Sequence, residues 1–486
     1  ILHEEIVCIG LDSVLDISSS LVHMYTQCGS VLEGHKVFNG IMNPDVVSWG
    51  AIISGYAQFG CNAAVFELFE KLQGESIQPD RGIYMCFIKC CAEIGDIEWG
   101  RKIHRQVRES VFSSDIILAS AIIDMYSACG SLTEAHDMFR HISNRDVVTW
   151  GAMMAAYIHH GLFLSALRLY EDMEHDCVEP DHIIFSFIIK ACTKVGNLLL
   201  GRWIHADVIR RNLDSYMILN NSLIDLYMKF GSLEEANNMF DKSSKHEVAT
   251  WAIMIGGYLD NRLADIALTK FYEMKGKGVV PNEVTYLCML KVCSRLLQLK
   301  EARLIHDEII RSKLESDMAI GNAMVDMYAK CRSLEEAEKI FSSLQNKDVV
   351  SWGALIGGFA QSGDSIKALD LLQKMKQEGT VAADEIAYLS GMKAIGSIRA
   401  CKAGRVLHDQ IIRCGFESHS SIGNSLVDMY AKCGSLEEAY REFNSIHKKD
   451  AITWGTMIGG CALNSHGDEA CFLFEQMQLG GLCPDQ

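Results

Sequence analysis

The segment 420–450 alternates apolar and polar residues in the pattern of two short amphipathic helices. Leu426, Met429 and Tyr430 share one helical face because they are spaced by three and four residues. Gly434 follows, and glycine is favoured just beyond a helix because it adopts positive φ without strain. A second helical run begins directly after this glycine. The segment therefore predicts a helical hairpin.

The hairpin recurs along the chain, and five tryptophans mark near-copies of one phrase. The copies read DVVSWGAIISGYA, DVVTWGAMMAAYI, EVATWAIMIGGYL, DVVSWGALIGGFA and DAITWGTMIGGCA. Successive tryptophans are 101 residues apart, except for the last gap of 102. Each period divides into units of 35, 35 and 31 residues. The tryptophans are Trp49, Trp150, Trp251, Trp352 and Trp454.

The three kinds of unit give fourteen complete repeats and one partial repeat over 1–14. The Trp-bearing units are 46–80, 147–181, 248–282, 349–384 and 451–485. The His-bearing units are 81–115, 182–216, 283–317 and 385–419, and the partial repeat is a remnant of this kind. The short units are 15–45, 116–146, 217–247, 318–348 and 420–450.

A hairpin of about 35 residues cannot bury its apolar face alone, so neighbouring hairpins must stack. We therefore predict an all-α fold, one continuous α-solenoid of helix-turn-helix repeats with a long concave surface. The chain begins inside one unit, and its last residue, Gln486, begins another. We expect the sequence to be a segment of a longer array.

Composition supports the helical prediction and restricts the chemistry. Apolar residues make up 49% of the chain and only 5 residues are proline, which favours helices with a continuous core. The 18 cysteines include no CxxC pair, so the pattern is not that of a zinc site. No apolar run has the length of a membrane span, and no targeting segment is visible. The net charge of −17 argues against a conventional basic nucleic-acid binder.

The unit lengths, the recurring aliphatic–Ser/Thr–Trp phrase and the Pro-Asp or Pro-Asn that ends four of the five Trp-bearing units resemble pentatricopeptide-repeat (PPR) proteins of the PLS subclass of land plants. The Trp-bearing, His-bearing and short units resemble P-type, L-type and S-type repeats. The resemblance implies a right-handed superhelix that binds single-stranded RNA in a mitochondrion or chloroplast. It also implies that each repeat reads one base with its fifth and last residues, and that the second residue packs on the base.

Carried onto this sequence, the resemblance assigns reading pairs to the short units. A hydroxyl or amide at the fifth position and a carboxylate at the last can meet the edge of a base. Ser-Asp resembles a guanine reader and Asn-Asp a uracil reader, while Asn-Glu implies only a pyrimidine. The pairs are Ser19/Asp45, Ser120/Asp146, Asn221/Glu247, Asn322/Asp348 and Asn424/Asp450.

The Trp-bearing units depart from the family pattern because their fifth residue has no hydrogen-bonding side chain. Discrimination then falls on the last residue, and we expect guanine for Gly-Asp and adenine for Ala-Asn. The pairs are Gly50/Asp80, Gly151/Asp181, Ala252/Asn282, Gly353/Asp384 and Gly455/Asp485, and the base-packing residues are Val47, Val148, Val350 and Ile452.

The His-bearing units have poor reading pairs, so we assign them spacing. The predicted target is 5′-GGnGGnYAnUGnUG-3′, counted from the unit 15–45 onwards. The pairs are Met85/Asp115, Ser186/Tyr216, Leu287/Asp317 and Leu389/His419.

Other interpretations of the recurring residues are structural. The tryptophans are expected to pack between hairpins, and the recurring histidines (His104, His205, His306 and His408) lack a second metal ligand at fixed spacing. The recurring lysines Lys89, Lys190, Lys291 and Lys393 could follow the phosphate backbone or could be solvated surface.

The functional classes left open are a specificity factor for RNA editing (C-to-U) or processing and a protein-binding scaffold of the tetratricopeptide-repeat kind. His306-Asp307-Glu308 matches half of a deaminase signature, but no PCxxC follows it, so no enzyme activity is expected of this chain. We expect no cofactor, metal, membrane or small-molecule substrate. The partners expected are single-stranded RNA and editing or processing factors.

Overall fold

The computed structural model describes His3, Ile6, Ile9 and residues 14–75, 77–242, 246–379, 382–416 and 419–482. All regular secondary structure in these residues is helical, in 28 α-helices, which confirms the all-α prediction. The helices fall into two compact units, Ile1–Lys242 and Ser243–Gln486, and each is described by itself. No described helix has the length and apolarity needed to cross a membrane.

The first unit contains fourteen helices arranged as successive pairs. They are α1 (Leu15–Gln27), α2 (Val31–Asn39), α3 (Val46–Gln58), α4 (Asn62–Gly74), α5 (Arg81–Ile94), α6 (Ile97–Glu109), α7 (Ile116–Ala128), α8 (Leu132–His141), α9 (Val147–His159), α10 (Phe163–His175), α11 (His182–Val195), α12 (Leu198–Arg210), α13 (Met217–Lys229) and α14 (Leu233–Lys242).

The second unit repeats this arrangement with fourteen more helices. They are α15 (Val248–Asp260), α16 (Ala264–Gly276), α17 (Glu283–Leu296), α18 (Leu299–Arg311), α19 (Met318–Lys330), α20 (Leu334–Ser343), α21 (Val349–Ser362), α22 (Ser365–Glu378), α23 (Glu385–Ile398), α24 (Cys401–Arg413), α25 (Ser420–Lys432), α26 (Leu436–Ser445), α27 (Ala451–Leu463) and α28 (Gly467–Leu479).

Within each unit the first helix of every pair packs against the first helix of the next pair, as α1 does against α3 and α19 against α21. The second helix packs against its own partner and against the following first helix, as α22 does against α21 and α23. The first helices of each unit therefore form a continuous layer, and residues at the same position in successive repeats of that unit lie side by side along it.

Four of the five recurring tryptophans pack in the core, as expected, and Trp454 is half-buried. Trp49, Trp150, Trp251 and Trp352 are each at most 1% exposed. Trp49 lies edge-on to Phe38 of the preceding short repeat, with ring centroids 4.8 Å apart, and Trp352 lies 4.7 Å from Phe341 in the same way. The contact joins a short repeat to the next Trp-bearing repeat, so burial of these rings stabilises the stack.

The recurring histidines join each His-bearing repeat to the short repeat that follows it. His306 Nδ1 lies 2.9 Å from the hydroxyl of Tyr328, and the same bond links His104 to Tyr126. Ion pairs reinforce this joint on the surface, as between Arg303 and Glu336 at 2.7 Å. The histidines therefore have the structural role predicted for them.

Arg332 stands where four other short repeats have glycine, in the left-handed region at φ 59°. A side chain in that region costs about 1 kcal/mol or more. We predict that Arg332→Gly raises the free energy of unfolding by on the order of 1 kcal/mol. The reverse change, Gly434→Arg at φ 81°, should lower it by a similar amount. Denaturant melts measure both, and a destabilised Arg332→Gly variant would contradict the strain argument.

Burial lowers the pKa of His306 below its usual value, and likewise that of His104 and His205. The unfolded chain therefore takes up a proton before the folded chain as pH falls. The contribution of these histidines to the free energy of unfolding is therefore fully present above about pH 6.5. It declines below that pH, by up to about 1.4 kcal/mol per pH unit for each histidine. We predict a shallower decline between pH 7 and 5 for His306→Gln. Parallel pH profiles for this variant and the wild type would contradict the prediction.

Candidate nucleic-acid interface

The last residue of most repeats caps the first helix of the next repeat. Asp45 Oδ1 accepts a hydrogen bond from Ser48 N at 2.9 Å, and Asp146 Oδ1 accepts one from Thr149 N at 2.8 Å. The same cap forms at Asp80, Asp115, Asp181, Asn282, Asp317, Asp348, Asp384 and Asp450. Glu247 occupies the equivalent position without a side-chain cap. The carboxylate caps use Oδ1, which leaves Oδ2 for a second partner.

In two short repeats a buried hydroxyl connects the fifth residue to the last. Ser19 Oγ lies 2.7 Å from Ser48 Oγ, and Ser48 Oγ donates to Asp45 Oδ1 at 2.6 Å. In the next short repeat, Thr149 takes the place of Ser48. Its Oγ1 lies 3.3 Å from the Oγ of the fifth residue, Ser120, and donates to Asp146 at 2.7 Å. The structure therefore brings both predicted pairs together.

In a third short repeat the two residues touch directly. Asn322 Nδ2 donates to Asp348 Oδ2 at 2.8 Å, while Asp348 Oδ1 keeps the cap from Ser351 N at 2.9 Å. Asn322 Oδ1 is buried and has no hydrogen-bond partner in the part of the chain that the structure describes, and the same holds for Asn424 Oδ1. The hydrogen-bonding capacity of these amide oxygens is therefore unused within the described residues.

The predicted residues line common grooves on the layer of first helices. A groove of about 550 Å³ is bordered by Ser19, Asp45, Val47 and Gly50. A second groove, of about 250 Å³, is lined by residues of α19, α21 and α23. Its predicted site residues are Val350, Gly353 and Asp384. In each of these two grooves, residues at the fifth, last and predicted base-packing positions line the same depression.

The residues predicted to pack on bases are unusually exposed for aliphatic side chains. Val47, Val148, Val350 and Ile452 are 58 to 61% exposed. Sequence reasoning missed that other repeats place an exposed aliphatic residue at the same second position, a regularity visible in the aligned repeats. These residues are Ile117, Ile183, Ile218, Val284 and Ile386. A regular row of exposed apolar side chains indicates a binding surface.

The glycines at the fifth position of the Trp-bearing repeats leave the grooves open. A Cβ at Gly50 would lie 3.7 Å from Ile83, one at Gly353 would lie 3.6 Å from Ile386, and one at Gly455 would meet nothing within 4 Å. Packing therefore does not demand glycine at these positions. Gly151 and Ala252 occupy the same position, and the partner of Gly455, Asp485, lies outside the described residues.

The last-position carboxylates of three short repeats, Asp45, Asp348 and Asp450, remain ionised at neutral pH. Hydrogen bonds from the side chain and backbone of Ser48 hold the pKa of Asp45 below its usual value, and those from Thr453 do the same for Asp450. For Asp348, burial acts in the opposite direction, but the bonds from Ser351 and Asn322 outweigh it and its pKa is also lowered. These groups accept hydrogen bonds and do not donate them.

The remaining candidate chemistry is sparse. The lysines Lys89, Lys190, Lys291 and Lys393 are all exposed, and Lys89 Nζ lies 3.9 Å from Glu93. Among the described residues, no three His, Cys, Asp or Glu side chains gather as a metal site would require. The grooves therefore offer hydrogen-bond acceptors, amides and aliphatic surface.

Family models for the PPR repeat match much of the chain. One, described as the PPR repeat family, matches residues 145–194 and 246–295. Another, described as the PPR repeat, matches 47–77, 221–248, 284–314, 322–349, 350–380, 424–449 and 452–482.

Relatives in Arabidopsis thaliana share this similarity along nearly the whole chain. A pentatricopeptide repeat-containing protein is 32% identical over 99% of this chain and 67% of its own length. A second, named as mitochondrial, is 32% identical over 96% of this chain and 68% of its length. A third, named as chloroplastic, is 29% identical over 97% of this chain, which spans only 54% of that relative.

Solved structures share the fold. The crystal structure of the maize protein PPR10 is 17% identical and aligns with a TM-score of 0.61 over 97% of this chain and 75% of that chain. PPR10 in complex with an 18-nucleotide psaJ RNA element aligns with a TM-score of 0.64 at 16% identity, over 97% of this chain and 80% of that chain.

Proposed function

Because the chain belongs to the pentatricopeptide-repeat family, we propose that it binds single-stranded RNA sequence-specifically, one base to each reading repeat. The observation that carries the proposal is the pairing of fifth and last residues, of which the 2.8 Å bond between Asn322 and Asp348 is the most direct. The two residues are 26 positions apart, and such pairs recur beside a row of exposed aliphatic residues. This is the arrangement that base reading by two or three side chains requires.

The chemistry of the Ser-Asp repeats favours guanine. Ser19 has two acceptors for its one proton within the protein, Leu15 O at 2.8 Å and Ser48 Oγ at 2.7 Å. With that proton engaged, the serine oxygen accepts hydrogen bonds, as does the ionised Asp45. Guanine is the RNA base whose Watson–Crick edge presents two neighbouring donors, N1–H and N2–H. A pair of acceptors therefore selects it.

The Asn-Asp repeats favour uracil. The bond to Asp348 fixes the orientation of the Asn322 amide and leaves Oδ1 as an acceptor and one N–H as a donor. Uracil presents one donor, N3–H, between two carbonyl acceptors. The amide complements this edge, and Asn424 offers the same group.

For the other repeats we propose weaker preferences: guanine for Gly-Asp, adenine for Ala252/Asn282 and a pyrimidine for Asn221/Glu247. Together these give the target 5′-GGnGGnYAnUGnUG-3′. The unit lengths support membership of the PLS subclass with the repeat borders given above. We propose that the chain is the specificity element of RNA editing or processing in a mitochondrion or chloroplast, compartments named for several relatives.

The proposal is tested by selecting RNA from a random single-stranded pool with the purified chain. We predict enrichment of G at positions 1 and 4 and of U at positions 10 and 13 of the target, because the short repeats have complete reading pairs. Recovery of no RNA above background at moderate salt would contradict RNA binding by this chain. A protein-binding scaffold, which the charge of −17 favours, would then replace it.

A change at one fifth position should alter one base. We predict that Asn424→Ser shifts the preference at position 13 from U toward G, because serine beside Asp450 recreates the pair of Ser120 with Asp146. Discrimination between two bases by such contacts amounts to roughly tenfold in affinity. Competition binding with position 13 varied measures the shift, and unchanged preferences at positions 1 and 4 are the internal control.

A change at one last position separates base reading from helix capping. Asn and Asp cap helices about equally well, so Asp146→Asn should leave the melting temperature nearly unchanged. The amide can donate to a ring nitrogen where the carboxylate cannot, so we predict a shift from G toward A at position 4 of roughly tenfold. Asp146→Ala is the contrasting control, because it removes the cap and lowers stability by about 1 kcal/mol. A stable Asp146→Asn variant that still prefers G would contradict reading by this residue.

A further inference from the structure

The His-bearing repeats differ from the others at their first residue. Trp-bearing repeats begin with valine or alanine, and the short repeats begin with aliphatic residues or methionine, apart from Ser420. The four His-bearing repeats begin with a charged or titratable residue at the N-terminus of the first helix. These residues are Arg81, His182, Glu283 and Glu385.

In three of these four repeats the first residue contacts the last residue of the same repeat. Arg81 Nη1 lies 3.6 Å from Asp115 Oδ2. His182 stacks on Tyr216, with ring centroids 4.1 Å apart and planes at 10°. In the repeat 385–419, Glu385 Oε2 lies 3.1 Å from Nδ1 of the last residue, His419. An ion pair, a ring stack and a carboxylate–imidazole contact have different chemistry but join the same two positions.

The contact changes what the last residue can offer to a base. Asp115 Oδ1 is engaged in its cap, accepting from Ile117 N at 2.9 Å and Leu118 N at 3.0 Å. Its Oδ2 faces the Arg81 guanidinium, and the side chain is only 17% exposed. Both carboxylate oxygens are therefore engaged within the protein.

The repeat 283–317 provides the natural contrast. Its first residue, Glu283, has no proton to donate to the last residue, Asp317. Within the described residues, Asp317 has the cap from Ile320 N at 2.9 Å as its hydrogen bond, which leaves Oδ2 open. The fifth residues of the two repeats, Met85 and Leu287, are both apolar and half-buried, so the repeats are matched at that position.

We infer that the first residue of a His-bearing repeat decides whether its last residue is available for base reading, either to the base itself or to a fifth-residue amide, as Asp348 is to Asn322. In three repeats the last residue is engaged by the first residue, which is Arg81, His182 or Glu385. In the fourth repeat, Glu283 leaves Asp317 open. Two features then explain why these repeats act as spacers: an apolar fifth residue in the repeats of Met85, Leu287 and Leu389, and an occupied last residue in the repeats that begin with Arg81, His182 and Glu385. The inference rests on the proposed reading of RNA by fifth and last residues.

The test gives each matched repeat the fifth residue of a uracil reader. Leu287→Asn creates an Asn-Asp pair with an open carboxylate, so we predict a preference for U at position 9 of roughly tenfold over the other bases. Met85→Asn creates the same pair beside Arg81, and we predict affinities within about twofold for all four bases at position 3. Target RNAs that differ only at position 3 or position 9 measure both.

Exchanging the first residues makes the test reciprocal. Arg81→Glu combined with Met85→Asn reproduces the residues of the open repeat, and U preference should appear at position 3. Glu283→Arg combined with Leu287→Asn should remove it at position 9. Thermal melts and unchanged base preferences at positions 4 and 10 establish that each variant is folded and bound in register.

The outcomes separate this inference from the proposed function. Failure of the wild-type chain to select RNA contradicts the proposed function itself, and that experiment is done first. With RNA binding established, equal U preference in Met85→Asn and Leu287→Asn overturns the inference, as does its absence from both. If Arg81→Glu lowers affinity equally for all four bases, Arg81 contacts phosphate and the inference is also overturned.

Discussion

The N-cap at most repeat borders is the interaction on which both fold and proposed function depend. The first helix of a repeat needs an acceptor for its unpaired backbone N–H groups, and the last residue of the preceding repeat supplies it. Asp45, Asp146 and Asp348 do so with Oδ1 alone. The cap thus fixes the position of a carboxylate beside the groove without using all of its hydrogen-bonding capacity.

Much of this arrangement could be predicted from sequence because it follows from periodicity. The 101-residue spacing of the tryptophans identified the hairpins, and the burial of Trp49 and Trp352 follows from stacking. The bond between Asn322 and Asp348 was harder to predict, because it joins residues 26 positions apart and follows no helical period. The partners of the histidines were not predicted either. Tyr328 lies 22 residues after His306, in the next repeat, and only the packed structure shows that the two side chains meet.

The contacts at the first position of the His-bearing repeats were also beyond sequence reasoning. An arginine, a histidine and a glutamate share no chemistry that would mark them as equivalent, so the four first residues appear unrelated in sequence. Only the packed repeats show that Arg81, His182 and Glu385 reach the last residue of their own repeat. The apolar fifth residue was a sufficient reason to assign spacing, and the structure adds a second reason that acts at a different position.

The net charge of −17 is consistent with reading of this kind. Guanine and uracil both present N–H donors on the edge that pairs, and carboxylates and amide oxygens are their natural complements. A chain that reads bases through acceptors accumulates negative charge at the groove, and phosphate repulsion opposes binding there. In the proposed complex, bases that cover the exposed side chains of Val47, Val148, Val350 and Ile452 offset part of this cost by burying apolar surface. In the proposed mode of binding, discrimination among bases therefore contributes more than attraction to phosphate.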